Sequence, residues 1–194
     1  MKILTILGSP QKRGKTATVL KLAEEEMKAL GHEIIRVNAA EKQISGCLGC
    51  YACTQVKDSP GCVLKDDMYD VYSKMSLADA IIIASPIYCF ELTSQIKPLI
   101  DRSFALMFTP LLDEKIVAGL ITCMGEEHGN ADLVAEAFQR MFNSSQKSIF
   151  STKFAGTYVV PNSGNKDFKE RAKAEAHRLA GDIVSMNEIE RGAR

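Results

Sequence analysis

An α/β domain, with a parallel sheet covered by helices on both faces, is the fold class that the sequence predicts, and three observations carry that reading. Short β-rich apolar runs alternate with stretches of helical period along the chain. The run Ala80-Ile81-Ile82-Ile83-Ala84 is apolar without a break, as a strand buried on both faces must be. The 194 residues, 46% of them hydrophobic and 25% charged, suffice for one core without covalent staples. Lys2 to Leu7 is the first strand, stopped by the turn signal Gly8-Ser9-Pro10. From Thr16 onward Val19, Leu20, Leu22, Ala23, Met27 and Leu30 recur at helical spacing, and Gly31 stands where a helix commonly ends. Glu33 to Val37 is the second strand. Asn38 to Gly61 has no sustained period and reads as loop with a short helix. Asp66 to Met75 is a helix whose two leading aspartates suit its positive end. Asp79 to Ser85 is the third strand, and Thr93 to Arg102 a helix that Pro98 is expected to kink. Lys115 to Cys123 is the fourth strand and Ala131 to Phe142 a helix. Gly156 to Val160 is the fifth strand, and the last helix runs from Lys166 to about Met186.

Right-handed crossovers leave few ways to connect these elements. Five strands suit the flavodoxin-like order 2-1-3-4-5, a three-layer sandwich around a five-stranded parallel sheet. No boundary or repeat divides the chain, so 1–194 reads as a single domain. Its cysteine-rich loop is 46–63, and the charged tail 188–194 is expected to fray. Lys+Arg 24 balance Asp+Glu 24, so there is no basic excess to bind nucleic acid or an anionic membrane. Ala80 to Phe90, the longest strongly apolar run, contains Pro86 and is too short to span a bilayer. The apolar run at the N-terminus stops at Gly8, too short for a signal core, and a cytoplasmic protein is expected. Of six cysteines, Cys47, Cys50, Cys53 and Cys62 crowd into one segment, which points to metal binding or redox work rather than disulfides.

In such a sheet ligands sit beyond the carboxyl ends of the strands, near the reversal of strand order. That rule selects residues 8–16, 85–94 and 123–130. The first loop, Gly8-Ser9-Pro10-Gln11-Lys12-Arg13-Gly14-Lys15-Thr16, offers hydroxyls, free N–H groups and a helix N-terminus, which together favour a phosphate. Gly14-Lys15-Thr16 matches the end of a P-loop, but five residues rather than four separate Gly8 from Gly14, and position 9 is not glycine. An ordinary solvated turn is the plain alternative. The second loop carries Ile87, Tyr88 and Phe90, apolar groups that a flat heteroaromatic ring would cover. Packing beneath the loop or in a subunit contact would cover them equally. Together the two loops favour a ring bearing a phosphate, FMN. His32 and His177 read as solvated, and His128, beside Glu126 and Glu127, lies at the ligand end. Cys89 and Cys123 read as small buried side chains. A flavin carries its own chemistry, so no catalytic acid or base is expected.

Gly8-Ser9-Pro10 with Gly14-x-Thr16, Asp66-Asp67-Met68, Ser85-Pro86-Ile87-Tyr88 and Gln95-Ile96-Lys97 together resemble the NADPH-dependent FMN reductase family over residues 1–160. The run Cys47-x-x-Cys50-x-x-Cys53 ending at Cys62 is similar to that of its iron–sulfur flavoprotein branch. The resemblance implies bound FMN and a cytoplasmic homodimer or homotetramer with FMN near a subunit interface. It implies that Ser9, Gln11, Lys15, Thr16 and Ala17, in the loop that holds Gly14, grip the phosphate. Pro86, Ile87, Tyr88 and Phe90 would line the ring. NAD(P)H would be the electron source, and a small molecule or a ferredoxin-like carrier the acceptor. The four thiolates suit a [4Fe–4S] cluster; zinc could use the same ligands, and a loop of reduced thiols without metal is the third reading. A flavin neighbour favours the cluster, because FMN accepts electrons in pairs and releases them singly. The eight residues between Cys53 and Cys62 exceed the branch's usual last gap, an excess that Pro60 and Gly61 can fold away. Two other functions stay open: a flavodoxin-type electron carrier, whose usual acidity this neutral chain lacks, and a P-loop nucleotide-binding protein.

Overall fold

A computed structural model describes residues 1–143 and 149–192. Its strands are β1 (Lys2–Leu7), β2 (Glu33–Asn38), β3 (Ala80–Tyr88), β4 (Glu91–Leu92), β5 (Ile116–Thr122) and β6 (Lys153–Val160). Its helices are α1 (Lys15–Ala29), α2 (Met68–Leu77), α3 (Lys97–Arg102), α4 (Asp132–Phe142) and α5 (Phe168–Gly192). Five strands pair in parallel in the order β2-β1-β3-β5-β6, which is the expected topology. The two-residue β4 is extra: it folds back antiparallel on the end of β3, pairing Ile87 with Leu92 and Tyr88 with Glu91.

The alternation of side chains along each strand builds two cores. Ile3 and Leu7 of β1, Ile82 and Ala84 of β3, and Leu120 of β5 face α1 and α5. Leu4, Ile6, Ile81, Ile83, Val117 and Ile121 face α2, α3 and α4. Each such side chain fully removed from water contributes about 1.5–3 kcal/mol, so the unbroken apolar strands dictate burial on both sides. α1 closes as expected. Gly31, at φ +82°, lets its own N–H reach the Lys28 carbonyl while His32 N–H reaches that of Met27.

Several boundaries differ from expectation: β3 runs on to Tyr88 and β6 begins at Lys153, and three other differences have a local cause. Pro98 does not kink a helix over Thr93–Arg102; it stands in the first turn of the shorter α3, where its missing N–H leaves no bond unmade. Asp66 and Asp67 precede α2 rather than opening it, and Asp67 instead accepts from the Gln43 amide at 2.8 Å. The tail expected to fray is helical as far as Gly192, and residues 193–194 lie outside the described ones. Close packing limits what the sheet tolerates. A Cβ at Gly119, in the middle of β5, would lie 2.7 Å from Cδ2 of Phe138, a ring buried completely on α4. Gly119→Ala is expected to lower stability by about 1–3 kcal/mol, measured by urea unfolding.

Candidate functional site

The carboxyl ends of β1, β3, β5 and β6 open onto a cleft of about 220 Å³. Its walls include Ser9, Gln11, Lys15 and Thr16 on one side and Pro86, Ile87 and Tyr88 on the other. Of the residues expected on a cofactor, these seven come together. Gly14, Ala17 and Phe90 are not among the lining residues. Gly14 is the N-cap of α1, Ala17 is buried in the core against the sheet, and Phe90 is 61% exposed at the tip of the β3–β4 hairpin.

The floor is built by Gly8, where the chain leaves β1. Its N–H donates to the Ala84 carbonyl at 2.7 Å, and its carbonyl accepts from Thr93 Oγ1 at 2.5 Å. These bonds tie the loop after β1 to the loop after β3. Beyond Gly8, Ser9 Oγ accepts from the Gln11 amide at 3.1 Å and shapes the turn. α1 then starts with no side chain capping it and no acid in its first turn. In that geometry the N–H groups of Lys15, Thr16 and Ala17 have no partner within the helix. Ala17 therefore offers its backbone, not its side chain. Lys15 adds a cation, its Nζ held 4.4 Å from the centre of the Phe168 ring. Lys12 is diverted to an ion pair with Glu41. Among the described residues no carboxylate lines the cleft, so its field is positive at the helix end.

Four further residues line it: Cys123 and Met124 open the selected loop 123–130, whereas Thr122 and Ser163 lie outside the three selected loops. Thr122 ends β5, and its hydroxyl pairs with that of Thr16 at 2.6 Å in a buried position. Ser163 follows β6; its N–H donates to the Cys123 carbonyl at 2.9 Å and its hydroxyl to Met124 Sδ at 3.4 Å. Applying the strand-end rule to the fifth parallel strand as well would have found Ser163. Cys123 is buried as expected, and burial, with Glu127 and Glu126 nearby, pushes its thiol up. Cys89, expected to be buried, is instead exposed at φ +51° in the hairpin turn. His128 is fully exposed and pairs with Asp132 at 3.6 Å. It does not line the cleft.

The cysteine segment forms a second, larger cavity of about 420 Å³. Cys47, Cys50, Cys53 and Cys62 all line it, with Leu48, Tyr51, Val63 and Phe104 as apolar neighbours. Left-handed backbone at Gly49 and Tyr51 turns the Cys47–Cys53 run back on itself. Gly61 closes the longer gap, since a Cβ there would lie 2.7 Å from Val56 Cβ and 2.9 Å from Cys53 Cα. Burial pushes the Cys53 thiol up, and the neighbouring Cys62, Cys50 and Cys47 push it further. Among the described residues no three metal-ligating side chains stand in a ready ligand group, so the thiols share the cavity without closing on one point. The donor set nonetheless fits a cluster. It comprises four soft sulfur donors and no imidazole, and the carboxylate that also lines the cavity, Asp101, is paired with Lys97.

The deepest residue of this wall is Arg102, whose side chain is 1% exposed. Its Nη1 donates to both oxygens of Asp66 at 2.7 and 2.6 Å and to the Ser45 carbonyl at 3.3 Å. Nη2 donates to the Leu64 carbonyl at 3.1 Å and to Cys62 Sγ at 3.4 Å. Burial alone would raise the Asp66 carboxyl, but bonds from Arg102 and from the Ser45 and Met68 amides outweigh it and hold it below its ordinary value.

Comparison with known proteins agrees with this geometry. The model of a family described as NADPH-dependent FMN reductase matches residues 1–155. An iron–sulfur flavoprotein of Archaeoglobus fulgidus is 40% identical over 205 aligned residues, covering 100% of this chain and 99% of the relative. A second from the same organism is 31% identical, covering 89% and 76%. Among solved structures, an NAD(P)H:quinone oxidoreductase from Methanothermobacter marburgensis superposes with a TM-score of 0.72 at 15% identity, over 95% of this chain and 97% of that one. That likeness is one of fold.

Proposed function

Since this chain belongs to the NADPH-dependent FMN reductase family, in its iron–sulfur flavoprotein branch, we propose that it moves electrons from NAD(P)H through FMN and a [4Fe–4S] cluster to a one-electron carrier of the ferredoxin kind. The enzyme class, an FMN-dependent NAD(P)H oxidoreductase, follows from that membership. One observation carries the flavin half of the reading. The uncapped N-terminus of α1, with Lys15 and Thr16, faces the apolar edge Pro86–Tyr88 across a single cleft. The first side suits a phosphate and the second a flat ring. A P-loop nucleotide would need no such ring edge.

When bound, FMN would supply hydride acceptance and a cluster one-electron transfer, while the protein supplies orientation and electrostatics. Ser9, Gln11, Lys15, Thr16 and the N–H of Ala17 hold the phosphate, with Gly14 leaving the approach open. Thr122 orients the Thr16 hydroxyl. Pro86, Ile87 and Tyr88 seat the ring, with Phe90 at its outer margin. Cys47, Cys50, Cys53 and Cys62 hold the cluster. Tyr88, Phe90, Leu48 and Tyr51 are exposed by 47–68%, apolar surface that suits a homo-oligomer. All six cysteines are free, which suits the reducing cytoplasm. Among the described residues no helix is long and apolar enough to cross a membrane.

Thr16→Ala is expected to weaken FMN binding by about 1.5–3 kcal/mol, the worth of a hydrogen bond to a charged group. Calorimetric titration of the flavin-free protein checks it, and an unchanged affinity would place the phosphate elsewhere. Anaerobically reconstituted protein is expected to carry about four irons and four acid-labile sulfides per chain. FMN that cycles while no acceptor supports NAD(P)H oxidation would mark an electron carrier instead.

A further inference from the structure

We propose that Arg102 is a positioning residue for the cysteine-bound cluster. It fixes Cys62 and, by its N–H···S bond, makes the cluster easier to reduce. The inference rests on the cluster reading above and adds a residue outside the cysteine motif. Four facts carry it. Among the described residues, Arg102 is the only arginine lining the cysteine cavity. Its guanidinium points an N–H at the sulfur of Cys62 at 3.4 Å. It braces the chain on both sides of the cysteines, through the Ser45 and Leu64 carbonyls. Its Nε is buried without a partner, so the fork is not spent entirely on Asp66.

Asp66 and the backbone carbonyls need only a cation and an anchor to the loop. The bond to a cysteine sulfur has a separate consequence. Reduction adds an electron to a cluster already made anionic by four thiolates. Asp66 offsets the charge of Arg102, so the N–H···S hydrogen bond is what acts: it stabilises the electron-richer sulfur of the reduced form more than that of the oxidised one, and so raises the potential. Arginine suits the task because its planar fork reaches a carboxylate, two carbonyls and a sulfur at once, which lysine does not.

The test uses full-length FMN-loaded protein reconstituted anaerobically with iron and sulfide. Two variants are compared with the unmutated protein. Arg102→Lys keeps a cation beside Asp66, and Arg102→Met combined with Asp66→Asn leaves no buried charge unpaired. FMN content reports folding, iron and sulfide report loading, and the EPR signal of the reduced cluster is followed against the solution potential. The double variant is expected to hold about tenfold less reduced cluster relative to oxidised at a fixed potential, which is 59 mV for a one-electron couple. Arg102→Lys should shift the same way by less. Loaded variants with the unmutated midpoint would overturn the proposal. Unmutated protein that takes up neither iron nor sulfide would overturn the cluster reading itself, and this inference with it. A measurement independent of variant folding is available in the unmutated protein. Arginine labelled with ¹⁵N in the guanidinium should give a ¹⁵N coupling in pulsed EPR of the reduced cluster, and its absence would equally refute the contact.

Discussion

Asp66→Ala is expected to destabilise the protein by about 3–5 kcal/mol, the cost of leaving a buried charge without its partner. The stranded group is Arg102, 1% exposed and bound through Nη1 to both carboxylate oxygens. The Ser45 and Leu64 carbonyls remain, but dipoles do not neutralise a cation in that position. The same carboxylate also accepts from the amides of Ser45 and Met68, so its loss frees the start of α2 and the entry to the cysteine loop together. Urea unfolding at neutral pH measures the effect. A loss below about 1 kcal/mol would mean that the pair is solvated after all. The pH dependence gives a second reading with a definite sign. The folded-state pKa of Asp66 is lowered from its ordinary 3.8. Its contribution is therefore complete above that unfolded value and is lost as pH falls through the lower folded one. Unmutated protein should lose stability steeply on acidification below the ordinary 3.8, and Asp66→Ala, already without the pair, less steeply.

That pair also marks the limit of what the sequence discloses. Local pattern is enough where one segment settles its own structure. The unbroken apolar run of β3 requires burial on both faces, and Gly31 meets the backbone demand that ends α1. The loops that hold the seven cleft residues were legible for a related reason, since the strand-end rule locates loops without knowing their contacts, while the choice of residues within them came from the family resemblance. Asp66 and Arg102 lie 36 residues apart, and no periodicity links an acid before one helix to an arginine at the end of another. Read alone, Asp66 suits a helix dipole and Arg102 a solvated last turn. Only their burial together shows that the carboxylate serves the arginine. The β3–β4 hairpin was hidden differently. Cys89 and Phe90 adopt left-handed backbone that neither residue type advertises, so the return to Leu92 reads as loop. Thr122 and Ser163 were missed because each sits in an unremarkable strand end, and only the closure of the sheet brings them to Thr16 and Met124.

Gly8→Val should damage the fold and the proposed cofactor site in one step, because Gly8 stands where the loops after β1 and β3 meet. β1 lies between β2 and β3, so the chain leaving it passes the point where strand order reverses. A Cβ on Gly8 would lie 2.9 Å from Ile96 Cβ and 3.1 Å from the Ala84 carbonyl oxygen. Neither obstacle is the free end of a flexible side chain. Ile96 is completely buried at the start of α3, and Ala84 is inside the sheet. Valine must push α3 outward or part the end of β1 from β3. Either movement separates Ser9 and Thr16 from Pro86 and Tyr88, and strains the bond from Thr93 to the Gly8 carbonyl. The expected cost is about 3 kcal/mol of stability, the upper end for overpacking. FMN affinity should fall by more than about tenfold, 1.4 kcal/mol or more. Unfolding of the flavin-free protein and flavin titration are measured on the same preparation. Thr16→Ala should lose affinity at a stability cost of only about 1–3 kcal/mol, that of leaving the buried Thr122 hydroxyl unpaired, in a folded protein, and Gly119→Ala should lose stability while keeping most of its affinity. Gly8→Val should lose both. If it binds FMN as tightly as the unmutated protein, the ring and the phosphate do not bridge these two loops, and the cleft is not the flavin site.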